Sequence, residues 1–219
     1  MHIIPSLLFN SEETFLRHLN AVQDHVESVQ IDIGDGIFVP KNWADPEIIK
    51  KHLRIPAELH LMVKDPAKEI EKWRNVDNVR KILFHFECGV DPETNITFIK
   101  SLGFEASVVL NPETNIEAIE NLLPQLRSVM LMGVIPGKQG QPFVPETIQK
   151  IKALRARKPK LYIEVDGAVN EQTLPDIITA GANAVCPGSA IFGNERTPEE
   201  NVRRMKEIIS KFKFSNNYK

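Results

Sequence analysis

Eight short runs of apolar and β-branched residues recur along this chain, at 3–8, 28–33, 57–62, 81–86, 105–110, 128–134, 161–166 and 184–187. Most are continuously apolar rather than alternating, the pattern of parallel strands buried on both faces. The segments between them carry helical periodicity. Phe15, Leu16, Leu19, Val22 and Val26 form one stripe after Ser11, and Val202, Met205, Ile208, Ile209 and Phe212 form another after Pro198. Thr114 with Glu117, and Thr197 with Glu200, have capping-box spacing. Gly103 and Gly181 fall where helices should stop. Strands alternating with helices require a parallel sheet. Eight such units in 219 residues favour closure into a (β/α)8 barrel, the TIM barrel, over an open doubly wound sheet. No linker or composition shift divides the chain, so a single domain over 1–219 is expected, with 213–219 a frayed polar tail. The peptide Pro-Glu-Thr-Asn-Ile at 92–96 and 112–116 reads as two similar helix starts, not as a repeat architecture.

Charge and hydropathy exclude several function classes. Lys plus Arg is 27 and Asp plus Glu is 29, a net charge of −2, which argues against a nucleic-acid footprint. The densest basic run, Lys150, Lys152, Arg155, Arg157, Lys158 and Lys160, alternates with Ile148, Ile151 and Leu154 and is expected to be the solvated face of one helix. No stretch approaches the about 18 to 20 apolar residues of a membrane span. Residues 1–10 lack the pattern of a signal peptide. Cys88 and Cys186 have neither metal nor redox spacing and read as reduced thiols of a cytoplasmic protein.

In a barrel of this kind chemistry sits at the C-terminal strand ends. The second run ends Gln30-Ile31-Asp32-Ile33-Gly34-Asp35-Gly36, and alternation turns Gln30 and Asp32 to the barrel axis. The third carries His60, the fourth His85 and then Glu87, and the seventh ends Glu164-Val165-Asp166-Gly167. Singly, each has an ordinary explanation as a loop cap or a satisfied core residue. Together, two axis-facing Asp with a His and a Gln would cost several kcal/mol to bury without a shared metal or substrate. The last three loops point to phosphate: Gly137 and Gly140 after the sixth run, Gly167 and Ala168 after the seventh, Gly188 and Ser189 after the eighth. Backbone N–H groups of such loops approach an anion closely.

The chain resembles the ribulose-phosphate 3-epimerases over nearly its whole length. The residues that carry the resemblance begin with Pro5-Ser6, Asp32 and Asp35-Gly36-Ile37-Phe38-Val39-Pro40, His60-Leu61-Met62-Val63 and His85 with Glu87. They continue through Asn111-Pro112, Met132, Pro136-Gly137, Gly140-Gln141, Val165-Asp166-Gly167 and Gly188-Ser189-Ala190-Ile191-Phe192. The resemblance implies a cytoplasmic isomerase of carbohydrate metabolism, in the pentose phosphate pathway. It would invert C3 of a ketopentose 5-phosphate by proton transfer through an enediolate. It implies Asp32 and Asp166 as the acid–base pair and as ligands of one divalent metal ion (zinc, iron, manganese or magnesium). His60 would be a further ligand, and Gln30 stands at the fourth position. Ser6, His60, Met62 and Met132 would contact the sugar. A small sugar phosphate is the expected partner, with no nucleic acid or membrane, and with possible assembly into a homo-oligomer.

The sequence also departs from that pattern. Gln30 replaces a metal-binding His, and an amide oxygen is a poor zinc ligand but an acceptable one for a hard cation. Gly34 replaces a Met and is expected to leave a larger or wetter pocket. Ala168 replaces a Gly, Lys138-Gln139 replace Phe-Gly, and Pro187 removes a backbone donor before Gly188. Lys138 would either strengthen a phosphate site or be a solvated loop residue. These changes keep two alternatives open: a related barrel enzyme acting on another sugar phosphate, such as a ketohexose 6-phosphate epimerase or an aldol-type enzyme, and a non-catalytic sugar-phosphate binder.

Overall fold

The computed structural model describes residues 1–137 and 141–216. One parallel sheet contains β1 (His2–Ile3), β2 (Ser6–Leu7), β3 (Val29–Gly34), β4 (Ala57–Met62), β5 (Val79–His85), β6 (Glu105–Leu110), β7 (Ser128–Met132), β8 (Tyr162–Asp166) and β9 (Ala184–Cys186). Its order is β1-β9-β8-β7-β6-β5-β4-β3-β2, so the sheet begins and ends on the same stretch of chain. β1 pairs with β9 through His2↔Ala184 and Ile3↔Val185, whereas β2 pairs with β3 through Ser6↔Gln30 and Leu7↔Ile31. These are the two halves of the continuous strand expected at 3–8, parted at Ile4 and Pro5. Proline has no N–H to give to a ladder. The segment still bonds on both sides: Ile4 N donates to Val185 O (2.9 Å), Ser6 N to Pro187 O (3.2 Å), and Gln30 N to Pro5 O (2.9 Å). The sheet is thereby curled into a barrel of eight strand positions.

The helices are α1 (Glu12–Val22), α2 (Pro46–His52), α3 (Pro66–Trp73), α4 (Pro92–Ser101), α5 (Glu146–Arg157), α6 (Leu174–Ala180), α7 (Ser189–Phe192) and α8 (Pro198–Asn216). Ser11, Asp45, Asp65 and Asp91 cap the first four by accepting backbone N–H groups, the last three of them just before a proline. At α8 the capping box forms, with Glu200 N donating to Thr197 Oγ1 (3.2 Å) and Thr197 N to Glu200 Oε2 (3.1 Å). The box expected at Thr114 and Glu117 does not. The chain there makes 3-10 turns, Ile116–Ile119 and Leu123–Gln125, and the Thr114 hydroxyl donates to Glu87 instead. The first Pro-Glu-Thr-Asn-Ile thus opens α4, but the second opens only a 3-10 turn. Helix α8 runs on through 213–216 of the expected tail, and 217–219 lie outside the described residues.

The basic run is not simply a solvated face. Lys150 Nζ donates to the carbonyls of Asn111 (3.3 Å), Pro112 (2.5 Å) and Thr114 (2.7 Å), and Lys158 Nζ to those of Leu123 (2.5 Å) and Leu126 (2.5 Å). Arg155 spans the carbonyls of Pro159, Leu161 and Gly181. Loops and short turns leave carbonyls without helical partners, and these cations satisfy them.

Two apolar cores follow from strands buried on both faces. The outer one, between strands and helices, includes Phe15, Trp73 and Phe84. The inner one fills the barrel with Ile4, Leu83, Val109, Met130, Met132 and Cys186. Inside the barrel lies a charged layer as well: Lys81 Nζ bonds Glu58 Oε2 (2.9 Å) and Glu164 Oε1. Burial, reinforced by the Glu58 charge and opposed by Lys81, pushes the Glu164 carboxyl up to about 8. Glu164 therefore belongs to this layer beneath the strand ends, not to the site above it.

Candidate active site

Strand register decides which side chains meet above that charged layer. Asp32 on β3 lies opposite His60 on β4, Ser6 on β2 opposite Gln30, and Met132 on β7 opposite Asp166 on β8. Parallel neighbours at one level point to the same face. Gln30 Nε2 donates to Asp32 Oδ1 (2.8 Å) and to Asp166 Oδ2 (2.7 Å), so one amide bridges strands from opposite sides of the barrel. His60 Nδ1 lies 3.1 Å from Asp32 Oδ1 and 3.2 Å from Asp166 Oδ2. Ser6 Oγ donates to Asp32 Oδ2 at 2.5 Å. All five side chains are buried.

Burial works against protonating His60, but hydrogen bonds to Asp166 and Asp32, and their charges, override it and push the imidazole up to about 10. Burial raises the Asp166 carboxyl, with His60 opposing. Behind His60 stands His85, their Nε2 atoms 2.9 Å apart, and Phe38 covers it with ring centres 4.8 Å apart. Burial drives His85 down to about 4, with Glu87 opposing.

Asp32, His60 and Asp166 each offer one ligand atom within 4.8 Å of the others, a spacing a single cation can span. Gln30 Oε1 is buried and has no hydrogen-bond partner, a cost that coordination to a hard cation would remove. The donor set of two carboxylates, one imidazole and one amide oxygen fits a divalent metal ion, and suits manganese or magnesium better than zinc.

The cluster forms the floor of a cavity of about 400 Å³, walled by Met62 and Met132 and by Gly137, Gly167, Ala168, Gly188 and Ser189. Every site residue predicted from sequence therefore borders this space or its floor, except Gly140, which with Lys138 and Gln139 lies outside the described residues. Gly167 (φ 98°) leaves no room for a side chain, since a Cβ would come within 2.6 Å of Val134 Cγ2. Ala168 (φ 52°) is left-handed without being glycine, a conformation that costs about 1–2 kcal/mol. Asn170 Nδ2 (3.2 Å) and Thr173 Oγ1 (3.0 Å) hold its carbonyl in place.

Gly34 does not open the pocket. A Cβ there would lie 2.4 Å from Pro40 O and 2.8 Å from Val39 Cγ2, so the loop after β3 has folded onto the space that a side chain would need. Asn42 fastens that loop, donating from Nδ2 to Asp32 O (2.7 Å) and accepting from Gly34 N at Oδ1 (2.6 Å). Sequence reasoning missed Asn42, although an Asn six residues beyond a strand-end Asp-Gly turn is a plain loop signal. It also missed Phe9 and Phe192, which meet edge to face at 5.6 Å on the cavity wall.

Comparison with known proteins matches this chain to the Ribulose-phosphate 3 epimerase family over residues 2–192. A ribulose-phosphate 3-epimerase of Aquifex aeolicus is 33% identical over 195 residues, covering 86% of this chain and 87% of that protein. One of Bacillus subtilis is 36% identical over 175 residues, covering 76% and 80%. Among solved structures, KGPDC from Streptococcus mutans in complex with D-R5P superposes with a TM-score of 0.75 at 13% identity, over 96% of this chain and 97% of that one. That likeness concerns the fold alone; the family match and the sequence relatives carry the assignment, and the chain belongs to the ribulose-phosphate 3-epimerase family, a family of isomerases.

Proposed function

We propose that the protein inverts C3 of a ketose phosphate, interconverting D-ribulose 5-phosphate and D-xylulose 5-phosphate. The observation that carries this reading is the convergence of Asp32 and Asp166, from strands on opposite sides of the barrel, on one cavity floor. Inverting a carbon requires a base on one face and an acid on the other. One Asp removes the C3 proton and the other returns one from the opposite side. Burial, which raises Asp166, suits it to hold a proton between these steps. Ser6 holds Asp32 in position and faces the sugar. Met62 and Met132 wall the reacting carbons and exclude water, which strengthens every charge interaction within. The N–H groups around Gly137, Gly167, Ala168, Gly188 and Ser189 receive the phosphate. A divalent ion held by Asp32, His60, Asp166 and Gln30 would supply Lewis-acid stabilisation of the enediolate, of the order of several kcal/mol.

Val39 and Pro40, packed over Gly34, remove the reason to expect a roomier site and favour a pentulose over a hexulose phosphate. No helix among the described residues is long and apolar enough to cross a membrane. The free, buried Cys88 and Cys186 support action in the cytoplasm. Ile37 and Ile135, exposed on the loops after β3 and β7, are the apolar surface that a second copy would cover.

The test is exchange of the C3 hydrogen in heavy water, with metal-stripped protein resupplied with manganese, magnesium, zinc or iron(II). Metal-dependent exchange at C3, reduced about 10²- to 10⁴-fold in Asp166→Asn, is expected. Folded protein that binds the sugar phosphate but exchanges nothing with any of these ions would sink the proposal.

A further inference from the structure

His85 and Glu87 take no part in the chemistry above, yet they stand in line behind His60. His60 Nδ1 faces the two carboxylates, and its Nε2 lies 2.9 Å from His85 Nε2. Only one proton can occupy the space between those two nitrogens. The far nitrogen of His85, Nδ1, faces Glu87 Oε2 at 3.5 Å, an ion-pair contact, and neither buried atom has a hydrogen-bond partner. Glu87 is itself aimed: Asn111 N donates to its Oε1 at 2.9 Å, and the Thr114 hydroxyl donates to the same oxygen.

We infer that Glu87 and His85 are positioning residues that fix the tautomer of His60, leaving its Nδ1 lone pair free for a cation between Asp32 and Asp166. The carboxylate of Glu87 accepts only, so it keeps the proton of His85 on Nδ1. His85 Nε2 is then an acceptor, and the shared proton belongs to His60 Nε2. The opposite arrangement would set a bare imidazole nitrogen against a carboxylate and put a hydrogen on the very atom that must bind metal. Partners behind a metal-binding histidine act in this way, and losing one typically lowers metal affinity about 10- to 100-fold. Thr114 therefore serves the site through Glu87, which is why it is not spent on a helix cap.

The inference rests on the metal-dependent reading of the floor cluster, and the experiment separates the two. Histidine ¹⁵N resonances of the full chain, with and without magnesium, read the tautomers directly, while titration with manganese followed by electron paramagnetic resonance reads affinity. In wild-type protein His85 is expected as the Nδ1–H tautomer with and without metal, and His60 as Nε2–H once metal is bound. Glu87→Gln keeps the shape but presents an amide N–H₂ to His85. It should shift the His85 resonances and weaken manganese binding about 10- to 100-fold. Thr114→Val should weaken it less, in the same direction, and covers the case in which Glu87→Gln does not fold. A wild-type His85 protonated on Nε2 overturns the inference, as do unchanged tautomers and affinity in both variants. Wild-type protein that binds no metal yet shows His85 as Nδ1–H would overturn the metal-dependent reading and leave the positioning role of Glu87 standing.

Discussion

Gln30 does with one amide what a cation would do with its charge: its nitrogen sits between Asp32 and Asp166 and gives each a hydrogen bond, while its oxygen has no partner. Restoring an imidazole should change which ion is preferred. Gln30→His is expected to raise affinity for zinc at least about tenfold relative to magnesium, measured by competition calorimetry; an unchanged ratio would rule Gln30 out as a ligand. Ala168 makes a second prediction at this scale. Glycine would relieve its left-handed backbone but cost conformational entropy in the unfolded chain. Ala168→Gly should therefore stabilise by about 0.5–1 kcal/mol, seen as a rise of roughly 1–4 °C in thermal midpoint. A lower midpoint would mean that the loop is not strained there. The residues of the site were legible where a local rule governed them. Alternation turned Asp32 to the barrel axis, and the rule that polar groups at the C-terminal strand ends of a barrel share one face set His60 and Asp166 beside it. Gly34 was not legible, because what fills the space of its missing side chain is a loop five residues further on, fastened by Asn42.

Among the elements, local spacing competed with distant partners. Thr114 and Glu117 have the same spacing as Thr197 and Glu200, yet only the second pair caps a helix, because Glu87 on the neighbouring strand end takes the Thr114 hydroxyl. Nothing in the interval between two residues reports a third. Likewise Lys150 on α5 and Lys158 just past its end reach carbonyls that the short turns after β6 leave without partners of their own. The proline at position 5, by contrast, did carry a readable warning that the first strand would break. The charged layer on β4, β5 and β8 has a pH signature. Glu164 is raised from 4.5 to about 8 on folding, so between these values the folded state holds a proton that the unfolded state has released. Its stabilising contribution is full below about pH 4.5 and is lost as pH rises through about 8. Urea midpoints should accordingly fall from pH 5 to pH 8, and Glu164→Gln should flatten that slope; equal slopes would mean that Glu164 is ionised throughout.

For the molecule as a whole, a ligand that binds only the folded state stabilises it by mass action, about 2.7 kcal/mol at one hundred times its dissociation constant. For a chain of this size that is a rise of roughly 5–10 °C. Manganese added to metal-stripped protein should produce such a rise, and Asp166→Asn should abolish it; an equal rise in the variant would locate the ion elsewhere. The barrel itself is closed by a segment that changes partners midway, β1 on β9 and β2 on β3. This makes assembly a matter of order in time. The first residues of the sheet can complete their pairing only after a stretch some 180 positions later has been synthesised. Until then a ribosome-bound chain carries two raw sheet edges, the kind of surface that recruits another copy or a chaperone. Ser6 sits beside the seam, so its backbone bond to Pro187 O is among the last parts of the molecule to be finished, whereas its side-chain bond to Asp32, on the neighbouring β3, has no such wait.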